Sequence, residues 1–166
     1  NAGDQAAYWP CLWVWPCDKT GSWFLGVMNR DRTKVVNYAE QRLRWMAEWL
    51  KAGRPNQFFK VDPLRFQAHG HSMGGTLCNA LAMRFGDIFS TTVSSAGATI
   101  HRRNKVWVGQ AEKLWGSADK NLPCLQRCYR ITARGLVVDE DSRMGVWDYQ
   151  DYAKWSLENM QVETAF

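Results

Sequence analysis

The chain has 166 residues, of which 46% are hydrophobic and 22% charged, and a net charge of +5. That length suits one domain with a real hydrophobic core. No run approaches the ~18 consecutive apolar residues of a membrane span, and lysine and arginine never exceed two in succession, so the basic balance reads as a solvated surface rather than a nucleic-acid footprint.

Residues 8 to 17, Tyr-Trp-Pro-Cys-Leu-Trp-Val-Trp-Pro-Cys, are apolar and bounded by Pro10 and Pro16, which predicts a buried or partly buried strand. Asp18 to Ser22 is a turn cluster, and Trp23 to Met28 reads as a second strand or a loop. Ten tryptophans are expected to pack a core and line a pocket, with a stacking platform for a flat ligand as the alternative.

A helix is predicted over residues 37 to 52. Asn37 and Glu40 have capping-box spacing, Ala39, Leu43, Met46, Ala47 and Leu50 mark one face, and Gly53 with Pro55 ends it. Arg42, Arg44, Glu48 and Lys51 form its wet side. Asp62-Pro63 is a turn, and Arg65 to His69 runs as a short strand into Gly70-His71-Ser72-Met73-Gly74-Gly75. Thr76 to Phe85 then carries Leu77, Ala80, Leu81 and Arg84 at helical spacing and stops at Gly86.

Strand, glycine corner and helix are the setting in which a G-x-S-x-G pentapeptide raises a serine hydroxyl above a sheet. Gly70 and Gly74 are expected to be glycine because a Cβ at either would collide in so tight a bend. Ser72 is the candidate nucleophile, and the backbone N–H of Met73 is one of two candidate oxyanion donors. The second donor would come from a loop in the 8 to 30 stretch. A strand central to a parallel sheet is nearly all apolar, and Gln67 and His69 depart from that rule.

Asp87 to Ser95 should form the next parallel strand, ending at Gly97. His101 follows in a basic loop with Arg102 and Arg103. Val106 to Trp115 is predicted helical and closed by Gly116. Residues 117 to 135 are the least regular stretch. Asp139-Glu140-Asp141 reads as a hydrated acidic turn, because the ligand spacing of a calcium loop is missing. Asp148 to Met160 is predicted to be one helix, capped by Asp148, with Tyr149, Tyr152, Ala153, Ser156, Leu157 and Met160 facing inward. Val162 to Phe166 looks like the start of a strand. Of the five cysteines, Cys78 is expected to be a small buried apolar residue. Cys11 with Cys17 and Cys124 with Cys128 would suit two disulfides in a secreted protein; a four-cysteine zinc site is the sharper alternative, against which the spacing argues. No metal or cofactor is expected.

The series Asn37-Tyr38-Ala39-Glu40-Gln41-Arg42, Trp45 and Trp49, Asp62-Pro63-Leu64-Arg65 and Gly70-His71-Ser72-Met73-Gly74-Gly75 resembles the polyhydroxybutyrate depolymerase and feruloyl-esterase branch of the α/β-hydrolases. Leu114-Trp115-Gly116, Leu122-Pro123 and Val146-Trp147-Asp148 agree more loosely. The resemblance, which covers about residues 35 to 160, implies an α/β-hydrolase fold with a mostly parallel, doubly wound sheet, residues 1 to 166 being the N-terminal two-thirds of a single domain whose last strands and helices are missing. It also implies a secreted serine esterase acting through Ser72 on a small or polymeric ester, such as a hydroxyalkanoate, aryl ester or acylated sugar.

In that fold the triad runs Ser, then Asp or Glu, then His along the chain. The histidines are His69, His71 and His101. His71 belongs to the corner, His69 to the entering strand, and His101 precedes most of the chain that should come before a triad histidine. His69 with His71 as a metal pair lacks a third ligand. The resemblance therefore implies an acid and a histidine past Phe166, in a longer protein or a separate chain, so that Asp139, Asp148 and Asp151 are not assigned to catalysis. A sheet ending here would leave an edge for a partner chain to cover, and the alternative function is a non-catalytic assembly or binding component with a silent corner.

Overall fold

The structure, a computed structural model, describes residue 12 and residues 14 to 16, 21 to 52, 61 to 132, 135 to 141 and 144 to 159. In chain order it contains β1 (Val27–Met28), β2 (Val35–Asn37), α1 (Ala39–Lys51), β3 (Gln67–His71), α2 (Met73–Arg84) and β4 (Thr91–Ser95). A 3-10 turn (His101–Arg103) follows, then α3 (Val108–Trp115), β5 (Cys124–Thr132), β6 (Gly135–Asp141), α4 (Val146–Tyr149) and α5 (Tyr152–Asn159). Mixed helices and strands make this loosely an α/β chain.

Among the described residues the strands form two small sheets, and a single doubly wound parallel sheet is not seen among them. One has the order β1-β2-β5-β6, and β3 pairs with β4 in the other. The β2–β5 and β3–β4 pairs are parallel, while β1–β2 and β5–β6 are antiparallel. Residues 117 to 135, expected to be irregular, supply all of β5, and Asp139 to Asp141 lie in β6 rather than in a turn. The β-branched and aromatic content of these segments suits the pleated pairing they adopt.

Two apolar clusters hold the elements together. Leu43 and Ala47 of α1 pack with Leu77 and Leu81 of α2 and with Phe85 and Ile88 just beyond it. Each large aliphatic side chain buried there contributes about 1.5–3 kcal/mol. The second cluster surrounds Trp23, Trp115 and Trp147; Trp115 and Trp147 meet edge to face with ring centroids 5.6 Å apart. Their indole N–H groups are satisfied, Trp115 donating to the Gly26 carbonyl and Trp147 to that of Gly116, each at 3.0 Å. Among the described residues three tryptophans thus belong to the core.

Several sequence expectations shift. Helix α2 opens at Met73, three residues before the predicted start, because the corner leads directly into it. β4 is limited to Thr91–Ser95, since residues 87 to 89 turn after α2 and bury Ile88. The predicted helix over 148 to 160 is two helices broken at Gln150-Asp151, and the break rotates the second one so that Ala153 and Leu157 point to solvent. Asp148 caps nothing. It lies within α4 and accepts hydrogen bonds from Arg102 (2.9 Å), Asn121 (2.9 Å) and Lys154 (2.7 Å), tying the 3-10 turn and the 118 to 121 loop to α5.

Asn37 is likewise not a helix cap: it ends β2, and its amide donates to the Glu40 carboxylate at 3.1 Å. Cys78 and Cys124 are buried free thiols. A Cys124–Cys128 bridge is excluded, because four residues along one extended strand span about 13 Å, beyond disulfide reach. Most of the predicted strand over 8 to 17, with Cys11 and Cys17, lies outside the described residues, as does Val162 to Phe166. Leu12, Val14 and Trp15 of the former are exposed and unpaired in any sheet, contrary to a buried strand.

Candidate functional site

The site begins with β3 lying parallel to β4 in the register Gln67↔Thr91 through His71↔Ser95. Among the described residues no third strand pairs with either, and α2 packs against both. Gln67, His69 and His71 of β3 and Thr91, Val93 and Ser95 of β4 are all exposed. Alternation along the strands puts them on one face, which explains the polar Gln67 and His69: they stand on an open face rather than inside a doubly covered sheet.

Ser72 follows at the corner with φ 54° and ψ −117°. A non-glycine residue there stores on the order of 1–3 kcal/mol and persists only where its surroundings over-determine it. Here they do. The Ser72 N–H donates to the Ser95 carbonyl at 2.8 Å, extending the ladder, and the Ser72 carbonyl accepts the Thr76 N–H at 3.0 Å as the first bond of α2. The side chain is exposed, and among the described residues nothing lies within hydrogen-bond distance of its Oγ.

Backbone proximity explains the glycines, with one change to the sequence reading. A Cβ on Gly70 would stand 2.2 Å from the Gly74 carbonyl oxygen, as expected. A Cβ on Gly74 would meet nothing within 4 Å; the crowded helix glycine is Gly75, whose Cβ would fall 2.5 Å from the Ser95 carbonyl oxygen and 2.9 Å from the Gly97 nitrogen. Gly75→Ala should therefore lower stability by about 1–3 kcal/mol through overpacking against backbone. Gly74→Ala should be neutral or raise it by up to about 1 kcal/mol, since alanine favours a helix. Urea unfolding of both variants checks the pair, and equal effects would refute the assignment.

The Met73 N–H, the first in α2, has no acceptor among the described residues, as expected of a donor at the start of a helix. The stretch expected to supply a second donor falls partly outside the described residues. Its described turn passes through Trp23 and Phe24 at φ 56° and 55°, with the Trp23 ring buried in the core.

None of the three histidines bonds Ser72. His71 Nδ1 lies 3.1 Å from Ser95 Oγ, and His69 stands on the open face. His101 is buried between Trp23 and Trp115, with ring centroids 5.1 Å from each, and among the described residues neither ring nitrogen makes a hydrogen bond of good geometry, the Gln150 backbone being its polar neighbour. Burial pushes its pKa down to about 4, and the Arg84 charge acts in the same direction. It is a neutral core residue, not a base for Ser72. Asp151 is also engaged, accepting the Lys154 backbone N–H at 3.0 Å near the start of α5.

Behind the corner lies a buried polar centre that the sequence reading missed. Glu40 of α1 pairs with Arg84 of α2, the two side chains being 1% and 3% exposed. Arg84 Nη1 donates to the Tyr149 carbonyl at 2.9 Å, and its guanidinium stands 4.0 Å above the Tyr149 ring. The Tyr149 hydroxyl donates to the same carboxylate. Burial opposes the Arg84 charge, yet Glu40 outweighs it and holds the guanidinium above its ordinary pKa. The sequence signal was Arg84 on the apolar face of its helix with Leu77 and Leu81, where a buried cation demands a buried anion.

Fold and site together define a small α/β chain with an exposed, backbone-strained serine on a strand-to-helix corner. No protein-family model, curated protein or solved structure matches it.

Proposed function

We propose that the chain belongs to a serine carboxylic-ester hydrolase of the α/β-hydrolase type, an esterase or polyester depolymerase working through an acyl-enzyme on Ser72. The observation that carries this reading is the Ser72 backbone at φ 54° and ψ −117°, with its side chain exposed between β3 and α2. Strain at an exposed serine is the mark of a nucleophile elbow. Ser72 Oγ attacks the ester carbonyl, the Met73 N–H donates to the developing oxyanion, the alcohol departs, and water releases the acid. A serine hydroxyl needs a base at neutral pH. Because His69, His71 and His101 do not reach Ser72, the reading assigns that base to a histidine supplied by further polypeptide or a partner chain. The same resemblance implies an extracellular setting.

A fluorophosphonate probe should form an adduct on Ser72 of the full-length protein at neutral pH. Ser72→Ala should lose the adduct together with ester hydrolysis, by a factor on the order of 10⁴ or more. Absence of any Ser72 adduct would sink the proposal.

A second reading, an assembly or binding component with a silent corner, draws on the open β3–β4 face and its unpaired outer edges among the described residues. Parallel sheets are normally covered on both faces. That reading predicts a stoichiometric complex in which a neighbouring chain covers this sheet and Ser72 stays unreactive; native mass spectrometry with probe labelling separates the two.

A further inference from the structure

Ser72 and Ala96 are non-glycine residues at nearly the same positive φ, 54° and 53°, one just past the end of β3 and the other just past the end of β4. Between them stands Thr76. It lies one turn into α2, is 1% exposed, and touches both strained segments at once. Its N–H donates to the Ser72 carbonyl at 3.0 Å, and its hydroxyl is 3.5 Å from that same carbonyl. The hydroxyl also accepts the Ala98 N–H at 2.9 Å. Its own carbonyl accepts the Tyr152 hydroxyl at 3.1 Å, anchoring the turn to α5. Beside it, Ser94 Oγ donates to the Gly75 carbonyl at 3.0 Å, and a Cβ on Gly97 would sit 2.6 Å from the Thr76 nitrogen.

A hydroxyl carries one donor and two acceptor sites. At Thr76 an acceptor site receives the Ala98 N–H at 2.9 Å, while the O–H faces the Ser72 carbonyl at 3.5 Å, longer than a strong hydroxyl bond; a methyl group cannot accept the Ala98 N–H. We propose that Thr76 is a positioning residue for Ser72: its hydroxyl links the elbow carbonyl to the loop after β4 and so fixes where Ser72 Oγ stands relative to the Met73 N–H. The role rests on the serine-hydrolase reading and adds to it a residue that touches no substrate. Loosening this link moves the nucleophile without altering a binding surface, so it affects the chemical step and leaves substrate affinity alone. Displacement of a reacting group by about 1 Å lowers rate by about 100-fold.

The test compares Thr76→Val, which keeps shape and loses the hydroxyl, with Thr76→Ser, which restores it. Steady-state hydrolysis of a p-nitrophenyl ester is measured on the full-length protein, with the fluorophosphonate adduct mapped in parallel. Thr76→Val should lower kcat about 10- to 100-fold with KM within about twofold of the parent, and Thr76→Ser should return kcat to within about threefold. A Thr76→Val variant with parental kcat, or a Thr76→Ser variant as slow as the valine one, overturns the role. If the valine variant is recovered only unfolded, Thr76→Ala is read in its place beside Thr76→Ser: a fall in kcat of at least about fivefold at constant KM in the alanine variant, restored in the serine one, supports the role, and an unchanged kcat overturns it. A parent protein that takes no label on Ser72 overturns both the role and the reading beneath it, whereas a labelled parent with an indifferent Thr76 overturns the role alone.

Discussion

Replacing Glu40 with leucine should destabilise the chain by about 3–5 kcal/mol, because it leaves the buried Arg84 guanidinium without its carboxylate. Glu40 and Arg84 join α1 to α2, and the Tyr149 hydroxyl and carbonyl bring α4 into the same centre. The Arg84 guanidinium also stands 5.1 Å from the Tyr152 ring of α5, so one charge pair lies where four helices meet. The cost comes from desolvation. A buried cation that loses its partner cannot be rehydrated without opening the packing around it, and Arg84 cannot shed its proton. Arg84→Met should be costly in the same way, stranding the carboxylate beside the Asn37 amide and the Tyr149 hydroxyl. The double variant Glu40→Leu with Arg84→Met should be less destabilised than either single one, since no uncompensated charge remains. Urea unfolding of all four proteins closes the cycle. A Glu40→Leu midpoint indistinguishable from the parent would mean that the pair is not buried as described.

Much of this was written in local sequence, and the rest depended on distance along the chain. The corner is legible because its requirements are local: Gly70 must admit the Gly74 carbonyl, Ser72 must tolerate positive φ, and the residues after it must enter a helix. Helix α1 was legible for the same reason, its buried Ala39, Leu43 and Ala47 recurring with helical period. Gly75 was misjudged in favour of Gly74 because its neighbours, Ser95 and Gly97, belong to another strand end. Glu40 was read as part of a capping box from its spacing to Asn37, whereas its partner lies 44 residues away. Strand β5 was hidden because Gln126, Arg127 and Arg130 interrupt any apolar alternation, and its register with β6, Thr132↔Gly135 through Gln126↔Asp141, is a matter of pairing rather than of local composition. The break at Gln150-Asp151 has no glycine or proline to announce it.

Acidification from pH 7 to pH 4 should weaken the fold, with His101 responsible for the loss over that window. Its folded pKa is about 4, against about 6.5 for an unperturbed imidazole: burial lowers it most, contact with the Gln150 backbone opposes this, and the Arg84 charge adds a smaller lowering. The sign follows from proton uptake. Above pH 6.5 neither state binds the proton and stability is unaffected. Between about 6.5 and 4 the unfolded chain is protonated while the folded chain is not, so stability falls as pH falls, by up to about 1.4 kcal/mol per pH unit and about 3 kcal/mol in total. Below pH 4 the folded imidazole also titrates and the slope from this residue vanishes. Asp148 acts in a separate, lower window: burial opposes its ionisation, but hydrogen bonds from Lys154, Asn121 and Arg102 outweigh that and hold its carboxyl below the usual range. The stability it contributes is present above its unfolded pKa and is lost only as pH falls below the ordinary carboxylate range. His101→Phe keeps a flat ring between Trp23 and Trp115 and removes the titration, so its stability between pH 7 and pH 4.5 should be flatter than the parent's by about 2 kcal/mol. Urea midpoints at these two pH values measure the difference, and parallel losses in parent and variant would show that the acid sensitivity arises elsewhere.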